Sequence, residues 1–199
     1  MSTVLMVGTR KGLWIGTSDD ARQDWEFTGP HHDMEEVYSC MIDTREGQPR
    51  LLSGASSSWL GPQVRRTDDL GASWQETPDG GVRFPEDVGA SVERIWQLVP
   101  GSAPGVVYAG TEPGAVWKSV DRGATFALEE ALWNHPHKAE WGEGFGGQAF
   151  HTILPHPTDP RSVTAAISTG GVYQTSDGGA SWAPRNRACR GIRGAYSTA

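Results

Sequence analysis

The chain is poor in cysteine, lacks long apolar runs and carries no cluster of one charge. Its two cysteines, Cys40 and Cys189, have neither the number nor the spacing of a disulfide framework or a zinc site. They suit a reducing compartment, and a cytoplasmic protein is the expectation. No apolar stretch exceeds strand length, so no membrane span is expected. The start, Met1–Gly8, lacks the basic leader and cleavage site of a secretory signal. Lysine and arginine (17) are outnumbered by aspartate and glutamate (24), for a net charge of -7 and a pI near 5.3. The electrostatic footprint of a nucleic-acid binder is therefore missing. A 3.6-residue apolar period is missing too, which excludes a helical solenoid. No nucleophile elbow and no phosphate-cradling glycine motif occur, because Gly142–Gly147 does not separate a strand from a helix. No cofactor and no metal are expected.

Glycine (26), proline (13) and tryptophan (9) are plentiful, a mixture that favours short strands, tight turns and aromatic packing. Three segments share one pattern of hydroxyl, any residue, Asp, any, Gly, any, Ser/Thr, aromatic. They are Thr67–Trp74, Ser119–Phe126 and Thr175–Trp182. A fourth, Ser18–Trp25, keeps the first hydroxyl, the Asp and the Trp but loses the Gly. The four closing aromatics, Trp25, Trp74, Phe126 and Trp182, lie 49, 52 and 56 residues apart, a spacing typical of repeat arrays.

Aligning these boxes exposes a unit of four strands. The first strand is apolar: Val37–Ile42, Arg94–Val99 and Ala149–Leu154. The second carries small residues: Leu51–Ala55, Val106–Thr111 and Val163–Thr169. The third leads into each box: Gln63–Arg66, Ala115–Lys118 and Gly171–Gln174. The box aromatic opens the fourth. Four short strands per unit of roughly 50 residues predict an all-β fold, a β-propeller of four-stranded antiparallel blades. The chain opens with Thr3–Thr9 as a second strand and Gly12–Ile15 as a third, so three blades are complete and the first lacks its inner strand. Residues 1–184 form one partial propeller, and 185–199 form an irregular tail with no strand pattern. An open half-propeller exposes strand edges, so the chain is expected to be the N-terminal part of a longer propeller or to associate with itself.

In each box the Asp (Asp69, Asp121, Asp177) can accept turn N–H groups as an Asx turn does. The glycine (Gly71, Gly123, Gly179) supplies a positive φ, and the aromatic (Trp74, Phe126, Trp182) folds back on the blade. Repetition in every blade makes these residues structural. The segments resemble the Asp-box, or BNR repeat, of sialidase-type propellers, related glycosidases and sortilin-like receptors. The fuller stretch Val107–Phe126 is similar to bacterial proteins labelled BNR/glycosyl hydrolase or WD40/YVTN/BNR-like. The likeness runs to about Trp182 and is specific for fold rather than activity.

That resemblance implies a ligand face opposite the boxes, near the central channel. Its loops join strand four to the next strand one (Thr28–Glu36, Thr77–Glu93, Leu128–Gln148) or strand two to strand three (Thr9–Gly12, Ser56–Gly61, Gly110–Gly114). The third long loop holds the densest polar and aromatic set, and His135, His137, Trp141, His151, Trp59 and His32 are candidate ligand-binding residues. That loop is equally readable as an ordered surface loop packed on the next blade, or as a zinc site of His135 and His137 with His151. A sialidase needs an arginine triad, whereas only Arg10 and Arg94 point toward the channel. Glu35 with Glu36, or Glu140 with Glu143, are candidate acid and base for another glycosidase, or ordinary solvated carboxylates. The reading is a propeller that binds a small ligand, glycan or protein partner. Glycoside hydrolase and assembly scaffold are the alternatives.

Overall fold

The computed structural model describes residues 3–143 and 147–186. Among the described residues, fifteen strands form four antiparallel sheets. The first has the order β1(Thr3–Thr9), β2(Gly12–Ser18), β3(Trp25–His31). The second has β4(Glu36–Asp43), β5(Arg50–Ser57), β6(Gly61–Thr67), β7(Gln75–Glu76). The third has β8(Arg94–Pro100), β9(Val107–Glu112), β10(Ala115–Ser119), β11(Ala127–Leu128). The fourth has β12(Phe150–Pro155), β13(Val163–Ile167), β14(Gly171–Thr175), β15(Ala183–Pro184). Every strand expected from the alignment is present, and among the described residues the first sheet has no inner strand, as expected. Its β3, at seven residues, is longer than the two-residue outer strands of the other sheets. Beyond Asn186 the tail lies outside the described residues, and so does Cys189. Among the described residues, no helix is long and apolar enough to cross a membrane.

The sheets stack side by side, β4 on β8 and β8 on β12 through their inner strands, and β1, a second strand, on β4. Among the described residues no contact of like extent joins β12 back to β1, so the four sheets form an open arc. Each joint between sheets has its own core. Leu13 and Ile15 meet Val37, Leu51 and Ala55 at the first joint. Met41, Leu52 and Val64 meet Ile95, Val107 and Trp117 at the second. Tyr108 and Val116 meet Phe150, Ile153 and Tyr173 at the third. The 77–93 loop completes the second joint: Val82 and Phe84 are buried there, and the Phe84 ring lies 5.0 Å from Trp117 and 4.6 Å from Trp133.

Small residues in the second strands let the sheets approach this closely. A Cβ on Gly8 would collide with the Val37 carbonyl oxygen, and one on Gly110 with that of Phe150. Side chains then bridge the joints. Ser39 donates to the Ile95 carbonyl at 2.8 Å. Gln97 accepts from the Ile153 amide and donates to its carbonyl.

The three complete boxes form one turn repeated atom for atom. In the third sheet, Ser119 Oγ donates to Asp121 Oδ1 at 2.7 Å and accepts the Gly123 amide at 2.8 Å. Asp121 then accepts the amide (2.9 Å) and the hydroxyl (2.6 Å) of Thr125. The second and fourth sheets repeat these bonds through Thr67, Asp69, Gly71 and Ser73 and through Thr175, Asp177, Gly179 and Ser181. Gly71, Gly123 and Gly179 have φ of 90, 79 and 106°, a region open to glycine. The worn copy differs from its expectation. There Asp19, not Asp20, accepts the Ala21 and Arg22 amides, and Ser18 donates to the Asp24 carbonyl. Without the glycine, a shorter Asx turn replaces the box.

Candidate functional site

Antiparallel topology sorts the connections to two ends. The boxes and the turns between first and second strands share one end. The hairpins between second and third strands share the other, with the loops that enter each first strand. At this hairpin end the first strand of every complete sheet carries a β-bulge at the same place. Val37 pairs with Ala55 and Ser39 with Gly54, leaving Tyr38 extra. Trp96 is extra in β8 and His151 in β12. A bulge frees one residue from the ladder and re-aims its side chain. The fold therefore presents an aromatic ring or imidazole at three successive equivalent positions.

Around the first two bulges the side chains interlock. Tyr38 and Trp96 have ring centroids 5.4 Å apart, and the Arg94 guanidinium lies 5.6 Å over the Tyr38 ring, within cation–π range. Arg94 Nη1 donates to Glu112 Oε2 at 2.8 Å, and Trp96 Nε1 donates to the same oxygen at 3.0 Å. Arg10, on the β1–β2 hairpin, donates through Nε to Glu36 Oε1 at 3.0 Å, while Tyr38 donates its hydroxyl to Glu36 Oε2. That bond to Tyr38, then the one to Arg10, hold the Glu36 carboxyl below the usual carboxylate range. The 129–149 loop reaches the same place, since a Cβ on Gly147 would collide with Glu112 Oε1. The result is a strip from the first to the third sheet: two aromatic rings and two arginine–glutamate pairs, half open to solvent.

The sequence candidates fall into three groups. Arg10 and Arg94 belong to this strip, and His151 occupies the third bulge, exposed, with Nδ1 3.3 Å from Thr152 Oγ1. His135, His137 and Trp141 instead fasten the long loop to the fourth sheet. The His135 and Trp141 rings lie 4.9 and 5.3 Å from Tyr173, Trp141 Nε1 donates to the Tyr173 hydroxyl at 2.8 Å, and Trp141 is buried. Among the described residues no group of three or more His, Cys, Asp or Glu side chains is placed to hold a metal. His32 packs edge-on against Trp74 at 4.4 Å, with Nε2 3.0 Å from Ser53 Oγ. Burial, reinforced by Arg65 and His31, lowers its pKa to about 4.

The third group stands in solvent. Glu140 and Glu143 are exposed. Trp59, at the tip of the β5–β6 hairpin, is 93% exposed. Sequence reasoning left out Tyr38, Trp96 and Glu112, and offered Glu36 with Glu35 either as a glycosidase acid and base or as ordinary solvated carboxylates. The available signal was positional, because Tyr38, Trp96 and His151 each follow the first apolar residue of a first strand.

Four sheets of antiparallel strands, ordered inner to outer and stacked around an arc, define a β-propeller. Solved structures agree. The GH74 xyloglucanase from Xanthomonas campestris matches over 91% of this chain and 28% of its own, at TM-score 0.59 and 19% identity. An ancestral GH74 enzyme matches over 92% of this chain and 25% of its own, at TM-score 0.60 and 16% identity. YCF48 from Cyanidioschyzon merolae matches over 91% and 52%, at TM-score 0.54 and 15% identity. The chain thus spans between about a quarter and a half of these neighbours. No family model matches it, and no curated protein does. At such identities the likeness shows the fold alone.

Proposed function

We propose that the hairpin end is a binding face for an uncharged polyhydroxylated ligand, a neutral glycan, seated on Tyr38 and Trp96 between the two arginine–glutamate pairs. The bulge that turns both aromatic residues out of their ladders carries this reading. Sugar rings stack on aromatic faces, and their hydroxyls can accept from Arg94 or Arg10 and donate to Glu112 or Glu36. Charge decides against an anionic sugar. Each arginine already faces a carboxylate at 3.0 Å or less, so the strip holds no uncompensated cation to clamp a sialic-acid carboxylate.

Binding is favoured over turnover on similar grounds. A glycosidase needs one carboxylic acid kept protonated near neutral pH, and Tyr38 and Arg10 push Glu36 the other way. Glycoside hydrolase remains the second reading, supported by the GH74 neighbours. Assembly through the exposed Trp59 is the third.

The test is Trp fluorescence titrated with a panel of neutral oligosaccharides, xyloglucan fragments included, beside sialyllactose. Saturable change with a neutral sugar, lost in Trp96→Ala and weakened at least tenfold in Arg94→Ala, is the expected result. Binding that both substitutions leave intact, preference for sialyllactose, or no response to any sugar overturns it. Release of reducing ends would move the reading to hydrolase.

A further inference from the structure

The three bulges at the hairpin end are equivalent in more than register. The residue before each is apolar and buried: Val37, Ile95 and Phe150 are 6, 1 and 0% exposed. Each lies over a glycine in the second strand of the preceding sheet, Gly8, Gly54 and Gly110 in turn, where a Cβ would collide with it. The residue after each bulge is polar: Ser39, Gln97 and Thr152. Tyr38, Trp96 and His151 are thus held between the same kinds of neighbour. The step from Trp96 to His151 repeats the step from Tyr38 to Trp96.

The chemistry beside the bulges changes along this row. Two residues before each bulge stand Glu36, Arg94 and Ala149. Arg94 pairs across its sheet with Glu112, whereas Ala149 accepts the Ser168 amide at 3.0 Å through its carbonyl. Neither Ala149 nor Ser168 carries a charge, so the third place is read by polarity alone. The His151 ring is exposed, and its Nδ1 lies 3.3 Å from Thr152 Oγ1, which leaves Nε2 for a ligand. If Nδ1 accepts from Thr152, Nε2 donates; if Nδ1 donates, Nε2 accepts. A sugar hydroxyl satisfies either form, because it both donates and accepts.

Resting on the neutral-glycan reading, we infer that the ligand is a linear chain of three or more sugars, laid along the arc and across the strands, with His151 holding the third. A row of like backbone positions fits a chain of like units, since each step along the chain brings the next ring to the next bulge. The 5.4 Å between the Tyr38 and Trp96 ring centroids is comparable to the length that one pyranose unit adds to a chain. Two sugars stack on Tyr38 and Trp96, and a hydroxyl of the third bonds His151 Nε2. A single terminal sugar would use one ring of the row and leave the other places idle.

Trp fluorescence titrated with cello-, manno- and xylo-oligosaccharides of increasing length reads the row directly. In a series that binds, the step from disaccharide to trisaccharide adds one hydrogen bond and should raise affinity about three- to tenfold. His151→Ala should remove that gain without moving the melting temperature, since the ring is exposed. His151→Trp, which places a third large ring in the row, should enlarge it. Trp96→Ala should weaken disaccharide and trisaccharide alike. Equal wild-type affinity for the two lengths, or a gain that His151→Ala leaves intact, overturns the inference. Loss of both sugars in Trp96→Ala would still uphold the binding face in that case. No response to any series overturns the binding face itself, and the chain reading with it.

Discussion

The box end and the hairpin end of the molecule follow opposite rules. At the box end, three turns repeat the same hydrogen bonds with donor–acceptor distances that agree within a few tenths of an ångström. At the hairpin end, the backbone repeats, since every complete sheet has its bulge, but the side chains do not: Tyr38, Trp96 and His151 occupy one position. Repetition of side chains signals a demand of the fold, because each sheet has to satisfy it. Variation on a repeated backbone signals a task that the fold leaves open. Substitutions should therefore separate cleanly, with stability lost at one end and recognition at the other.

The largest stability effect belongs to the box end. Gly123→Ala forces a Cβ into Leu52 while holding φ at 79°, and should cost about 2–3 kcal/mol in chemical denaturation. Gly89→Ala is the control. Its φ is 65° with nothing within 4 Å of the new atom, so only backbone strain of about 1 kcal/mol remains. Equal losses at the two sites would show that conformation, not the joint, makes the box glycine necessary.

At the hairpin end, Tyr38→Ala and Arg94→Ala should each cost about 1 kcal/mol or less, since the Arg94 side chain is partly in solvent and the buried Glu112 keeps its bond from Trp96 Nε1. The same variants should lose ligand affinity at least tenfold. A loss of several kcal/mol in denaturation would make Tyr38 and Arg94 struts like the boxes, and would erase the contrast between the two ends.

The fold was legible because its rules are local and repeated. The box aromatics, the small second strands and the absent inner strand of the first sheet could all be aligned by eye, and each became a strand or a turn. The hairpin-end strip was only half legible. Arg10 and Arg94 drew notice as charged residues near a channel, but Glu112 sits at the end of a small-residue strand, and only the pairing with Arg94 brings it into use. Tyr38 and Trp96 read as ordinary strand residues, because a bulge leaves no local mark in one copy. His135, His137 and Trp141 pack on a residue that the sequence does not place beside them. A dense aromatic loop looks like a lid, yet its rings are spent on Tyr173, and Tyr173 is visible only as a distant strand residue. His32, a candidate ligand-binding residue in the sequence, has its neighbours Ser53 and Trp74 far away in the chain, so their contacts leave no local mark.

The smallest effect divides the two ends by pH. Asp69, whose carboxylate accepts from Ser73 and Thr67, titrates at about 2, below an unfolded value near 3.9. Its contribution is complete above the unfolded value and fades as pH falls toward 2. His32 also titrates low, at about 4 rather than 6.5, because burial and then Arg65 disfavour the cation. The unfolded chain binds the proton first, so the stability due to neutral His32 is full above pH 6.5 and is lost on acidification toward 4. The two windows barely overlap. Melting temperature followed downward from pH 7.5 should therefore fall first between about 6.5 and 4 and again below about 3.9. His32→Gln should reduce the first fall, of which His31 and His135, both also lowered by burial, keep a share, and should leave the second. Asp69→Asn should lower the whole curve and remove only its own share of the second fall, because the carboxyls of Asp121 and Asp177 are lowered as well. A first fall of undiminished size in His32→Gln would mean that the His32–Trp74 contact does not hold the loop between the first and second sheets.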